Sequence, residues 1–158
     1  MKKQNWQVYL FWILLSEAVG LLSGWLSGEG TAIFGQTAIQ PPLSPPAILF
    51  PIVWTILYSL MGIGAARISV TPDSPERNRS LNLFIAQLII NFFWSLIFFN
   101  ARAYGFALLW LILLFVLVLW MTLEFRKTDP LAALLQVPYL LWLAFAAYLN
   151  YGVWMLNR

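Results

Sequence analysis

The stretch AYGFALLWLILLFVLVLWMTL, residues 103–123, holds 21 positions without a charge. About 20 mostly apolar residues in a helix span the hydrocarbon core of a bilayer, so this segment alone predicts a membrane crossing. Arg102 and Glu124 bound it. Working outward, residues 80–101, 130–157 and 30–66 are also free of charge, and residues 6–26 are interrupted only by Glu17. These runs predict five helical crossings, at about 6–26, 46–66, 80–99, 103–124 and 130–154. The runs are continuously apolar and lack the alternation of barrel strands, which excludes a β-barrel. The expected fold is an all-α membrane protein, a five-transmembrane-helix bundle, forming one domain over residues 1–158.

Composition agrees. Hydrophobic residues make up 61% of the 158 residues and charged residues 9%; a soluble domain carries about 25% charged residues. Disorder is excluded on the same grounds, since it needs low hydrophobicity and high charge. There is no Cys and no His, which removes disulfides, thiolate chemistry, zinc sites and His-based acid–base catalysis. The formal net charge of +3 is small and dispersed, so nucleic acid is not an expected partner.

Met1-Lys2-Lys3 followed by an apolar run resembles a signal peptide, with Ala18-Val19-Gly20 as a possible cleavage site. The run continues to Leu26, a full spanning length, and reads as an uncleaved first helix. Residues 27–44 read as a Gly- and Pro-rich loop, in which Gly28-Glu29-Gly30 is either a helix-ending turn or part of a lid. Residues 67–79 and 125–129 are polar turns, and Pro138 is expected to kink the last helix. Lys2, Lys3, Arg67, Arg77, Arg79, Arg126 and Lys127 fall on one side of the membrane, and only Arg102 and Arg158 on the other. The positive-inside bias then places the N-terminus in the cytoplasm and the C-terminus outside.

Polar groups inside a span face the bundle or a cavity. Gln87, Asn91, Trp94, Ser95, Phe98 and Arg102 follow one another at steps of three and four, which predicts one stripe on the third crossing. Pro51, Trp54, Thr55, Tyr58 and Gly62 do the same on the second, and Pro138, Trp142, Phe145, Ala146 and Asn150 on the fifth. Each polar residue singly is either helix–helix glue or a ligand anchor. Together, the three stripes suit an aromatic cavity for a flat apolar ligand. Trp54, Trp94 and Trp142 are the informative tryptophans, because Trp6, Trp25, Trp120 and Trp154 fall near helix ends, where interfacial belts use Trp. Glu17, the acid within a span, is either functional, near a thinned interface, or protonated. Ser16, Gly20, Gly24 and Gly28 form a small-residue ridge that lets another helix, of the same chain or of a second copy, approach closely.

The segment Pro138-Tyr139-Leu140-Leu141-Trp142-Leu143-Ala144-Phe145-Ala146, continuing to Leu149-Asn150-Tyr151-Gly152-Val153-Trp154, resembles the TspO/MBR family, which includes bacterial tryptophan-rich sensory proteins and the mitochondrial translocator protein. Pro45-Pro46 leading to Val53-Trp54 and Leu57-Tyr58, then Gln87, Asn91, Trp94, Phe98-Phe99, Ala101-Arg102 and Gly105, and Gly28-Glu29-Gly30 extend the resemblance over nearly the whole chain. The resemblance implies a bacterial plasma-membrane protein, a homodimer surrounded by lipid, with a pocket in each monomer under the loop between the first two crossings. It implies porphyrin (protoporphyrin) and related tetrapyrroles, and isoquinoline carboxamide or benzodiazepine drugs, as ligands. Family pocket positions map onto Trp54, Tyr58, Asn91, Trp94, Trp142 and Ala146; Gln87 and Phe145 join them from the stripes. Departures are Ile48 and Phe106, where the family has Trp, and Ile33-Phe34, where it usually has an aromatic pair. Arg158 stands seven residues after Tyr151, too far for the proposed sterol motif, in which at most about five residues separate Tyr from the basic residue.

A membrane receptor for porphyrin-like ligands is the leading functional expectation. Light-dependent porphyrin degradation and porphyrin transport are the alternatives. No conventional catalytic motif, required cofactor or metal site is expected, and five crossings do not divide into equal transporter repeats.

Overall fold

The structure, a computed structural model, describes residues 5–158. Lys2 and Lys3, which enter the charge bias, lie outside the described residues. In chain order the helices are α1 (Asn5–Leu26), α2 (Gly28–Thr37), α3 (Leu49–Ser69), α4 (Pro75–Ser95), α5 (Tyr104–Thr128), α6 (Pro130–Leu134) and α7 (Val137–Leu156), with a π-helical turn, Leu96–Asn100, extending α4. There is no strand among the described residues. Five helical units are long and apolar enough to cross a membrane: α1, α3, α4 with its π turn, α5, and α6 with α7.

The helix ends differ from the expected ones for local reasons. The Pro45-Pro46 pair forms a turn before α3, where the Leu49 N–H donates to the Pro46 carbonyl. Pro51 then occupies the first turn of α3, where an N–H has no helical partner. α4 begins at Pro75 rather than at 80, because Ser74 caps it: Ser74 Oγ accepts from the Arg77 N–H at 3.1 Å. α5 runs on to Thr128, with Arg126 and Lys127 in its last turn, where cations offset the helix dipole. Asp129 caps α6, accepting from the Leu131 and Ala132 N–H groups. The helix then breaks at Leu135–Gln136, because Pro138 offers no N–H to the carbonyl four residues back; this is the kink expected at Pro138.

Residues 28–37, expected within a loop, form α2. Its glycines disfavour a helix, and tertiary packing overrides them. Phe34 lies 5.3 Å from Phe98 and 5.2 Å from Phe99. Gly30 sits on the π turn so closely that a Cβ there would stand 2.7 Å from the Phe99 carbonyl oxygen.

α1 packs along α3, α4 along α5, and α5 along α7, while α3 and α7 meet only sparsely. Met61, Phe84, Val118, Met121, Phe125 and Leu143 fill the core. At the end of the bundle holding the 67–79 and 125–129 turns, Arg67 pairs with Asp129 at 2.8 Å. There the buried Glu124 takes Arg79 at 3.2 Å and Lys127 at 3.0 Å. Arg102 is exposed at the opposite end.

Candidate ligand site

Three helices bring a polar column to the bundle centre. The Tyr58 hydroxyl of α3 donates to Asn91 Oδ1 of α4 at 2.9 Å. Asn91 Nδ2 donates to the Tyr139 hydroxyl of α7 at 2.6 Å, and that hydroxyl donates to Gln87 Oε1 at 2.8 Å. Gln87 Nε2 ends the chain on Met61 Sδ at 3.7 Å. Gln87 and Asn91 share one face of α4 because they are four residues apart. All five residues are buried, and each polar side chain finds a partner inside the protein, as an apolar surrounding demands. Gln87 and Asn91 therefore tie α4 to α3 and α7. Tyr139, absent from the expected site residues, joins the two amides. A hydroxyl in an otherwise apolar span was the signal that could have marked it.

Beside the column stands an aromatic wall between α3 and α7. Trp54 lies 5.5 Å from Tyr58, 6.2 Å from Tyr139 and 6.5 Å from Trp142, the last pair at 89°. Phe50 and Phe145 flank Trp142 at 5.8 and 5.6 Å. A groove of about 390 Å³ meets this wall at Trp142 and Phe145. Val53, Ile56 and Leu57 line it from α3, and Pro138, Leu141, Trp142 and Phe145 from α7. The volume falls in the lower part of the small-molecule range, about 300–1,000 Å³. Trp142 Nε1 is buried and has no hydrogen-bond partner among the described residues, although buried indole N–H groups usually have one. Ala146, one turn beyond Trp142, is buried in the core.

Trp94 bridges the main core and a second aromatic cluster. It stacks on Phe98 at 5.0 Å, and Phe99 and Tyr104 close the cluster. Its Nε1 donates to Asn150 Oδ1 at 3.2 Å, and Asn150 Nδ2 donates to the Tyr104 carbonyl. The expected stripe through Arg102 also ends early. The π turn changes the helical step after Ser95, and Arg102 leaves the helix with φ 53.

The loop after α2 covers the end of the bundle beside this second cluster. Asn157 Oδ1 accepts from the Ile39 N–H at 2.9 Å, and Asn157 Nδ2 donates to the Ile39 carbonyl at 2.7 Å. The Tyr148 hydroxyl donates to the Pro42 carbonyl. On the other seam of α3, Glu17 accepts from the Ser59 hydroxyl at 3.0 Å. Gly20 meets the Tyr58 ring, so this part of the ridge serves contact within the chain, whereas Gly24 and Gly28 face open space. Among the described residues no group of three His, Cys, Asp or Glu is placed to hold a metal.

Fold and site together define a multi-pass α-helical membrane protein with an aromatic-walled groove between two of its crossings. The chain belongs to the TspO/MBR family, whose sequence model matches residues 12–155. It is 36% identical over 141 residues to the tryptophan-rich protein TspO of Chlorobaculum tepidum, covering 89% of each chain. It is 35% identical over 148 residues to the human translocator protein, covering 91% of this chain and 87% of the relative. It is 33% identical over 118 residues to the tryptophan-rich sensory protein of Cereibacter sphaeroides, covering 75% and 73%.

Proposed function

We propose that the protein is a membrane receptor for porphyrins and related flat apolar molecules, including isoquinoline carboxamide and benzodiazepine-type drugs, held against Trp142 and Phe145, with Trp54 packed beside Trp142. The observation that carries this reading is the apolar α3–α7 groove lined by the Trp142 and Phe145 rings, with Trp54 packed on Trp142. Such a wall suits a flat apolar ligand that offers a large π face. Gln87 and Asn91 support the site from behind, because their amides are already bonded.

Metal-free protoporphyrin should bind at least as tightly as haem. Haem iron takes His or Cys, less often Met or Tyr, and the chain has neither His nor Cys. The Tyr58 hydroxyl and Met61 Sδ are both engaged in the polar column. Titration of detergent-purified protein with protoporphyrin and with haem, followed by tryptophan quenching and the Soret band, tests this in the light and in the dark. Saturable quenching without product supports a receptor. A product band formed only in light would replace receptor by enzyme, and a low-spin haem spectrum at higher affinity would reveal an axial ligand. The charge bias supports a plasma-membrane orientation with the C-terminus outside; a reporter fused after Arg158 that is active in the cytoplasm would reverse it.

A further inference from the structure

We propose that the ligand reaches Trp142 from within the bilayer, sideways through the α3–α7 groove, and not through the loop-covered end of the bundle. The inference rests on the receptor reading and adds the route. The groove wall is apolar, and its rim residues Ile56 and Leu141 are 55% and 67% exposed on the lipid-facing side. A flat apolar molecule dissolved in the membrane crosses such a rim without stripping water from a charge. α3 and α7 meet only sparsely there.

Both ends of the bundle are fastened instead. At the loop-covered end, Asn157 holds Ile39 by two hydrogen bonds and Tyr148 holds Pro42 by one. Pro41 is buried against Gly152, where an added Cβ would stand 2.5 Å from the Pro41 Cβ. The loop carries four prolines, Pro41, Pro42, Pro45 and Pro46, which restrict its backbone. At the other end, Gln136 packs against Gly64, with its Nε2 within 3.4 Å of the Leu60 carbonyl, and Arg67 clamps Asp129. The seam between α3 and α7 is left as the opening.

The chain has no cysteine, so single thiols can be introduced cleanly. In phosphatidylcholine vesicles, stopped-flow tryptophan quenching by protoporphyrin would be followed for two variants. Ile56→Cys would be compared before and after a bulky methanethiosulfonate label is removed by reduction. Ile39→Cys with Asn157→Cys would be compared oxidised and reduced, so that each protein is its own control. The label at position 56 should slow association on the order of tenfold, and the strap disulfide should change it less than about twofold, on a scale where one interface's association rates span one to three decades. Slowing by the strap disulfide, or no slowing by the label, overturns the lateral route while leaving the receptor reading in place. Absence of saturable quenching in the unmodified protein overturns the receptor reading and the route with it.

Discussion

α3 has two seams of opposite character. Toward α1 it presents Gly62, where an added Cβ would lie 2.5 Å from the Ile13 Cα and 2.8 Å from the Trp12 carbonyl oxygen. Toward α7 it presents Phe50 and Trp54, whose rings meet Trp142 at 70° and 89°. Small residues let two backbones close in lipid, where packing rather than hydrophobic drive holds helices together. Bulky rings meeting edge to face hold their two backbones farther apart than glycine does. One helix thus makes a closed seam and an open groove, and side-chain size alone separates the two.

Breaking the closed seam should have the largest effect. Gly62→Leu forces a side chain into the α1 backbone, which cannot step aside as a flexible side chain would, and should cost about 3 kcal/mol, the upper part of the usual overpacking range. Gly24→Leu, at a position with open space beside it, should shift stability by less than about 0.5 kcal/mol. Unfolding midpoints in a detergent titration compare them; equal losses would remove the distinction between the two positions. Next comes the column that backs the open seam. Tyr139→Phe deprives both Asn91 and Gln87 of a partner and should cost about 1–3 kcal/mol. Tyr58→Phe should cost less, because Asn91 keeps Tyr139. The reverse order, read from the same unfolding curves, would mean that Tyr139 does not join the two amides.

The crossings were legible because charge-free runs of spanning length admit few alternatives, and the break before Pro138 follows from a missing N–H. The helical steps of Gln87 and Asn91 gave their face. Their partners came from α3 and α7, which spacing along α4 does not encode, and the choice between glue and ligand anchor therefore stayed open. α2 was unreadable for a related reason. Gly28, Gly30 and Gly35 argue against a helix locally, and only Phe34 docking on Phe98 and Phe99 makes one. The sequence groups Trp94 with Trp54 and Trp142 because all three lie within spans. The π turn and Asn150 turn Trp94 toward Phe98 and Tyr104 while it still touches the main core, and neither is visible in the order of residues.

The smallest expected effect is also the most direct test, because it sets the two aromatic clusters against each other. Protoporphyrin would be titrated into Trp142→Phe and Trp94→Phe proteins, with affinity read from the Soret band. Trp142→Phe should weaken binding by several-fold, the equivalent of about 0.5–1.5 kcal/mol for a lost aromatic contact, and should cost stability only through ring packing on Phe50, Trp54 and Phe145, since Trp142 Nε1 has no partner to lose. Trp94→Phe should leave affinity unchanged and instead lose stability with its Asn150 bond. Affinity that falls with Trp94→Phe and holds with Trp142→Phe would contradict a ligand site at the α3–α7 groove.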